Sequence, residues 1–219
     1  MKIYTKKGDS GSTSLYDGTK VIKNDIIVES VGSLDELNSE LGLILAYYDI
    51  TKNVGRMTTN NPHHEKNKKY YELLNNIQSE LFDLGSIIAK NPNNSKEDEI
   101  LFDKNNEYIK KIEEYIDEMT NILPPLRNFI LPGGNVLIAT IHKARTVCRR
   151  TERNITSIKY APRYFNEDTL EISLENVNRC LAYINRMSDY LFTLARFTTY
   201  IQDVEEVKYI RSEILSKNN

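Results

Sequence analysis

The sequence predicts an all-α fold: a five-helix bundle preceded by an irregular N-terminal segment. Five long stretches repeat their apolar residues at three- and four-residue steps. Stretches that alternate apolar and polar residues are almost absent, so no substantial sheet is expected. A Pro/Gly-rich piece breaks the helical pattern only once, between the third and fourth stretches. In this reading the 219 residues are a single domain, 1–32 forming the irregular segment and 33–203 the bundle. With 40 % hydrophobic and 27 % charged residues, the chain has the composition of a globular protein with a substantial core.

The opening thirty residues are rich in Gly, Asp, Ser and Thr. Ser33 with Glu36 three residues later is a capping-box signature, which predicts a helix start at Ser33. Leu34, Leu37, Leu41, Ile44, Leu45 and Tyr48 then recur at helical spacing. A second helix is expected over 66–90, with Leu73, Leu74, Ile77, Leu81, Leu84 and Ile88 on one face. A third is expected over 96–122, marked by Ile109, Ile112, Ile116 and Met119. "LPPLRNFILPGG" follows, a loop constrained by three prolines and two glycines. The fourth helix, 135–158, carries a seam of Leu137, Ile141, Ala144, Cys148, Thr151 and Ile155. The fifth, 174–203, offers Val177, Leu181, Ile184, Leu191 and Leu194 to the core. "TKNVGRMTTNNPHHEKNKK" and "KNPNNSKEDE" have few large apolar groups and read as exposed connections.

Composition removes several function classes. With 29 basic against 31 acidic residues, the chain lacks the excess positive charge of a dedicated nucleic-acid binder. The apolar run 41–46 is far too short to cross a bilayer, and "MKIYTKKGD" has no signal-type apolar region, so a cytoplasmic protein without membrane contact is expected. Cys148 and Cys180 both fall in apolar-periodic stretches and read as buried free thiols. The three histidines (His63, His64 and His142) form no ligand set with other residues, so no protein-held metal is expected.

One short segment stands out against this balance. "HKARTVCRRTER", 142–153, carries Lys143, Arg145, Arg149, Arg150 and Arg153 against one acid, Glu152. A polar stripe of His142, Arg145, Arg149, Glu152 and Arg153 runs beside the apolar seam. Solvated faces elsewhere in the chain use lysine ("IKKIEEY"), whereas arginine suits forked recognition of oxyanions. The fifth helix has its own polar stripe of Asn178, Asn185 and Asp189, which suggests a shared cleft. At the N-terminus, "TKKGDSGSTSLYDG" combines Gly8 and Gly11 with the hydroxyls of Ser10, Ser12, Thr13 and Ser14. Lys6, Lys7, Lys20 and Lys23 add charge. Such loops make phosphate-binding concavities, although no Gly-Lys-Ser/Thr follows to make this a P-loop.

Taken together, the blocks "IYTKKGDSGSTSL" (3–15), "VGSLDELNSELG" (31–42), "FILPGG" (129–134), "HKARTVCRRTER" (142–153) and "YINRMSDYLFTLAR" (183–196) resemble the PduO-type ATP:cob(I)alamin adenosyltransferases. The resemblance implies a five-helix bundle that assembles as a homotrimer with active sites between subunits. It implies transfer of the 5′-deoxyadenosyl group of ATP to the cobalt of cob(I)alamin, releasing triphosphate. ATP-binding positions carry over to Thr5, Lys6, Lys7, Gly8, Thr13, Ser14 and Lys23. On the helices they carry over to Arg149, Arg150, Glu152, Arg153 and Asn185. Asp35 and Arg145 match a pair that links neighbouring subunits beside the cobalamin. Phe129 matches an aromatic that lies below the corrin ring. Mg²⁺ would come in on the ATP phosphates. A reductase supplying cob(I)alamin from cob(II)alamin, and an acceptor enzyme that uses adenosylcobalamin, are the implied partners. Lys7 departs from the family pattern, which has a threonine there.

The residue types suit that chemistry. Cobalt(I) is itself a strong nucleophile, so no Ser, Cys or His triad is needed, and none is evident. The protein must align C5′ with cobalt and stabilise charge on the leaving oxygen. Arg149, Arg153 and Lys23, with Mg²⁺ on the phosphates, are suited to the second task. An apolar ring at Phe129 would keep water and a lower ligand off cobalt, which makes cobalt(II) easier to reduce. The rival readings are a non-catalytic ATP- or cobalamin-binding regulator or carrier, and a bundle that binds no nucleotide.

Overall fold

The computed structural model describes residues 2–4, 6–53, 64–94, 100–161, 164 and 170–211. Thr5, residues 54–63 of the first Asn/Lys-rich stretch (His63 among them) and 95–99 of the second lie outside the described residues. The five expected helices are present: α1 (Ile26–Asn53), α2 (His64–Ile88), α3 (Glu107–Thr120), α4 (Val136–Lys159) and α5 (Leu170–Ile201). α4 lies against both α1 and α5; α2 packs on α1, and α3 on α5. The expected core positions Leu34, Leu37, Leu41, Ile44, Leu74, Ile77, Leu81, Leu84, Leu137, Ile141, Cys148, Ile155, Ile184, Leu191 and Leu194 are all buried. Large rings fill the centre: Tyr70, Tyr71, Tyr183, Tyr190 and Phe197 are among the fully buried side chains. The four tyrosine hydroxyls are satisfied, for example Tyr71 with Thr198 at 2.6 Å and Tyr183 donating to Glu80 at 2.5 Å. Cys148 and Cys180 are buried free thiols, and Cys148 donates to the Ile184 carbonyl at 3.2 Å.

Four expectations are corrected. The Ser33–Glu36 signature does not start α1, which begins seven residues earlier, at Ile26. Buried Asp25 caps it, its carboxylate accepting from the Ile27 amide at 2.9 Å and, at its other oxygen, from the Tyr164 hydroxyl. Ser30 and Ser33 sit inside the helix because their hydroxyls bond back to the Ile26 and Ser30 carbonyls. The N-terminal segment is also less irregular than expected. Strands β1 (Ser12–Ser14) and β2 (Lys20–Ile22) pair antiparallel, with Thr13 opposite Val21.

The third helix is shorter than 96–122, starting only at Glu107. Phe102 is buried and its amide donates to Asn176 at 2.9 Å, which holds the chain in a non-helical path. Asp103 and Asn106 adopt left-handed φ of 43° and 56°. The Asp103 carboxylate then accepts from the Tyr108 and Ile109 amides at 3.1 and 3.2 Å, capping the first turn. The Asn/Lys-rich connections are also partly ordered: 51–53 and 64–69 are helical and 92–94 form a 3₁₀ turn. Among the described residues no helix is long and apolar enough to cross a membrane.

Candidate functional site

The basic segment lies on α4, whose first turn is capped by Asn135, its side-chain oxygen accepting from the Ile138 amide at 3.2 Å. The apolar seam is buried between α1 and α5, so the flanking residues divide into two groups. Toward α1, Lys143 pairs with Glu40 at 2.6 Å and Arg150 with Glu36. Thr151 donates to the Ser33 carbonyl at 3.0 Å on the same side. On the other side Arg145, Arg149 and Arg153 stand one turn apart, and among the described residues none of the three faces a carboxylate within ion-pair distance. Among the described residues the Arg153 guanidinium donates only to the Arg149 carbonyl, at 2.9 Å. The Arg145 Nε is buried without a hydrogen-bond partner. Burial, then Arg149, draws the pKa of the Arg145 guanidinium below its usual range. Glu152 is held by Asn185 of α5, whose amide donates to it at 2.9 Å, and Asn178 accepts from Lys159 at 2.9 Å. The charge is therefore not one uniform face. Two of its five cations are neutralised against α1, and three form a ladder of guanidiniums with no carboxylate partner among the described residues.

His142 does not belong to that ladder, although its spacing places it there. It is 5 % exposed and faces the loop 129–134 and Glu206. Burial, then the Arg145 charge, pushes its pKa down to about 4, against a small opposing pull from Glu206. The neutral imidazole is thus the folded form. Stability from this group is complete above pH 6.5 and is lost as pH falls from 6.5 to 4. Between pH 7.5 and 5 wild type is expected to lose about 2 kcal/mol more than His142→Gln does, read from urea midpoints at the two pH values. Equal slopes would place a solvated, titrating imidazole there instead.

The N-terminal arm gathers its candidate residues into one turn. Gly11 donates to the Gly8 carbonyl at 3.2 Å, and Lys23 donates its amide to Gly11 at 2.8 Å. The Lys23 ammonium lies across Gly8, where a β-carbon would come within 3.2 Å of it, so a larger residue there would push the lysine tip aside by a few tenths of an ångström. Lys6 takes a left-handed φ of 58° at the start of the turn, and the Lys20 ammonium donates to Ser14 at 2.7 Å. Lys6 and Lys7 are exposed, and Thr13 is half-buried on β1. The arm is fixed to the end of α2: Tyr16 donates to the Ala89 carbonyl at 2.9 Å, and Asp17 accepts from Asn94 at 2.6 Å. Among the described residues no hydrogen bond or ion pair links 6–23 to α4. Within one chain the arm and the arginine ladder are thus not bonded to each other directly among the described residues.

Asp35 and Arg145 are likewise not paired within one chain. Asp35 is exposed on α1, at the edge of a groove of about 510 Å³ floored by Val28, Val31, Leu34 and Leu81 and flanked by exposed Phe82. A larger cavity of about 650 Å³ lies between Tyr16, Ile87, Phe102 and Tyr108 and holds none of the candidate residues.

Phe129 is 83 % exposed, on a loop that ends at Gly134 with φ of 99°. The loop is bridged to the chain beyond α5: Leu131 donates to Val207 at 2.8 Å, and Tyr209 donates to the Phe129 carbonyl at 2.7 Å. Arg196, 8 % exposed, donates to Glu206 at 2.8 Å and to the Pro124 carbonyl at 3.0 Å. Sequence reasoning missed this partnership. Its only signal is a buried-helix arginine ten residues before an acid, and that requires knowing where the chain turns back. Among the described residues no group of three or more His, Cys, Asp or Glu converges as a metal site.

Comparison with known proteins gives one consistent picture. The family model described as cobalamin adenosyltransferase matches residues 3–198. The corrinoid adenosyltransferase of Bacillus subtilis is 35 % identical over 218 residues, covering 100 % of this chain and 97 % of that one. The human corrinoid adenosyltransferase MMAB is 33 % identical over 213 residues, covering 97 % of this chain and 74 % of that one. Among solved structures, a variant PduO-type ATP:corrinoid adenosyltransferase from Lactobacillus reuteri, complexed with cobalamin and ATP, superposes with a TM-score of 0.75. It is 32 % identical and covers 97 % of this chain and 98 % of that one.

Proposed function

The chain belongs to the cobalamin adenosyltransferase family, and from that premise we propose how its own residues carry out the reaction. The reaction is ATP-dependent adenosylation of a corrinoid. Cobalt(I) of cob(I)alamin attacks C5′ of ATP; the cobalt–carbon bond forms, the C5′–O bond breaks, and triphosphate leaves with the electron pair. The observation that most supports our assignment of the site is the ladder Arg145–Arg149–Arg153, three adjacent cations with no carboxylate among the described residues.

In this reading the polyphosphate is the missing anion. Arg149 and Arg153 donate forked hydrogen bonds to it and stabilise charge as the C5′–O bond opens. The Gly8–Gly11 turn, with Lys6, Lys7, Thr13, Ser14 and Lys23, wraps the phosphates from the other side. The arm makes no direct bond to the ladder within one chain among the described residues, and in this reading it comes from a neighbouring copy of a homotrimer with sites between protomers. Arg145 pairs with Asp35 of that neighbour, which supplies the partner its buried Nε lacks here. Glu152 and Asn185, already bonded to each other, form the polar lip for the rest of the nucleotide. Arg150 reaches a phosphate only by leaving Glu36; we assign it to holding α4 on α1.

Mg²⁺ travels on the triphosphate, where it would neutralise phosphate charge. Mg²⁺ takes oxygen ligands and keeps several waters, so phosphate oxygens suit it. Phe129 covers the lower face of cobalt, so that cob(II)alamin can accept an electron from a reductase. Adenosylcobalamin then passes to an enzyme that consumes it.

The test is direct. The protein is incubated with ATP, Mg²⁺ and reduced cobalamin, and the absorbance of the cobalt–carbon product is followed. Appearance of that spectrum with stoichiometric triphosphate is expected. ATP binding without product would instead assign a carrier or regulator.

A further inference from the structure

We infer that the chain beyond α5, residues 204–209, held by the Arg196–Glu206 ion pair, is the device that positions Phe129 over its substrate. The inference rests on the reading that Phe129 faces cobalt.

Phe129 is a large apolar ring at 83 % exposure, so packing of its own side chain does not fix where it sits. Its place is set by the backbone of the loop 124–134. That backbone has few donors to spare, because 124, 125 and 132 are prolines. Among the described residues the loop makes three hydrogen bonds, and all three lead to one place. The Pro124 carbonyl accepts from Arg196 at 3.0 Å. The Phe129 carbonyl accepts from the Tyr209 amide at 2.7 Å, and the Leu131 amide donates to the Val207 carbonyl at 2.8 Å. The last two frame the single bridge between Ile130 and Lys208.

A two-stranded bridge this short does not hold itself in water. Its strand 205–209 makes no other backbone hydrogen bond among the described residues. What anchors it is Glu206, whose two oxygens receive the fork of Arg196 at 2.8 and 3.4 Å. Arg196 lies 8 % exposed in the last turns of α5, which is rigid bundle core. One guanidinium thus grips both strands, the carboxylate of one and a carbonyl at the root of the other. The chain reaches this position because α5 ends in a reversal at Asp203, with φ of 51° and Val204 donating to Thr199 at 3.0 Å. A side-chain bond between Asn135 and Gln202 ties the far end of the loop to the same helix end. Arg196 and Glu206 are positioning residues in this account, since neither is placed against substrate.

The experiment uses the full chain and compares turnover that starts from cob(II)alamin with a one-electron reductant present to turnover that starts from pre-reduced cob(I)alamin. Wild type, Phe129→Ala, Glu206→Ala and Tyr209→Pro are measured with ATP and Mg²⁺, and the paramagnetic resonance of enzyme-bound cobalt(II) is recorded for each. Tyr209→Pro removes the amide that holds the Phe129 carbonyl, along with a half-exposed phenol ring, and touches neither partner of the ion pair. Glu206→Ala and Tyr209→Pro are expected to lower the cobalt(II)-initiated rate by about tenfold and the pre-reduced rate by under about threefold. The cobalt(II) signal is expected to shift toward the form that keeps a lower axial ligand. Glu206→Gln, which keeps one neutral hydrogen bond, should fall between. If Phe129→Ala shows the selective loss and neither clamp variant does, the inference is overturned and the reading of Phe129 stands. If Phe129→Ala shows none, that reading fails and takes the inference with it. Should Glu206→Ala not fold, Tyr209→Pro decides alone.

Discussion

Arg149→Ala is expected to lower kcat with pre-reduced cob(I)alamin by about a hundredfold or more while the melting temperature stays within about 1 °C of wild type. The two halves of that result have separate physical reasons. Arg149 is exposed and makes no side-chain ion pair among the described residues, so its loss removes nothing from the fold. Surface substitutions of that kind change stability by only about 0.5 kcal/mol. The catalytic half follows from where negative charge grows. As the C5′–O bond opens, charge gathers on the departing phosphate oxygen, and a preorganised donor aimed there contributes about 3 kcal/mol that water does not replace. Arg149→Lys keeps the charge but loses the planar fork, so an intermediate loss of about tenfold is expected. Steady-state kinetics in ATP and thermal melts of the same preparations check both halves. Full activity in Arg149→Ala would remove the ladder from the site.

Phe129→Ala is the second large effect, and its signature is selectivity more than size. Starting from cob(II)alamin, turnover is expected to fall by about tenfold to a hundredfold, equivalent to about 1.4–2.8 kcal/mol of barrier. Starting from cob(I)alamin, which binds no lower ligand, it should fall by no more than about threefold. The ring is already exposed, so removing it opens no cavity and stability is preserved. An equal loss in both assays would make Phe129 a hydrophobic anchor for the corrin and nothing more.

Helix cores were legible in the sequence because periodicity reports burial directly. Leu34, Leu37, Leu41 and Ile44 recur at helical spacing and are all buried. Helix ends were less legible, since they depend on contacts distant in sequence. The first turns of α1, "IIVESVG", are rich in β-branched residues with a serine and a glycine, a poor helix composition on its own terms. They are helical because Asp25 caps them while also accepting from Tyr164, 139 residues away. The start of α3 failed for the same reason, because the burial of Phe102 and its bond to Asn176 overrule a polar stretch that reads as helix. At the site, residue class was legible and grouping was not. Arg145, Arg149, Arg150 and Arg153 look equivalent in sequence, yet Glu36 claims Arg150, while the others have no acid partner among the described residues. His142 shares their spacing and is buried. The Arg196–Glu206 pair was invisible, since it exists only because the chain doubles back at Asp203.

The two interior sulfurs carry a last consequence for a catalyst of this kind. A thiolate is a soft donor that would compete for cobalt, and a good nucleophile that would capture an adenosyl carbon meant for the metal. Cys148 and Cys180 are sealed in the bundle, and burial pushes both thiols far above neutral titration. Housing its only cysteines there keeps the protein from alkylating itself or trapping its own corrinoid, so the enzyme should tolerate thiol reagents at concentrations that leave the fold intact.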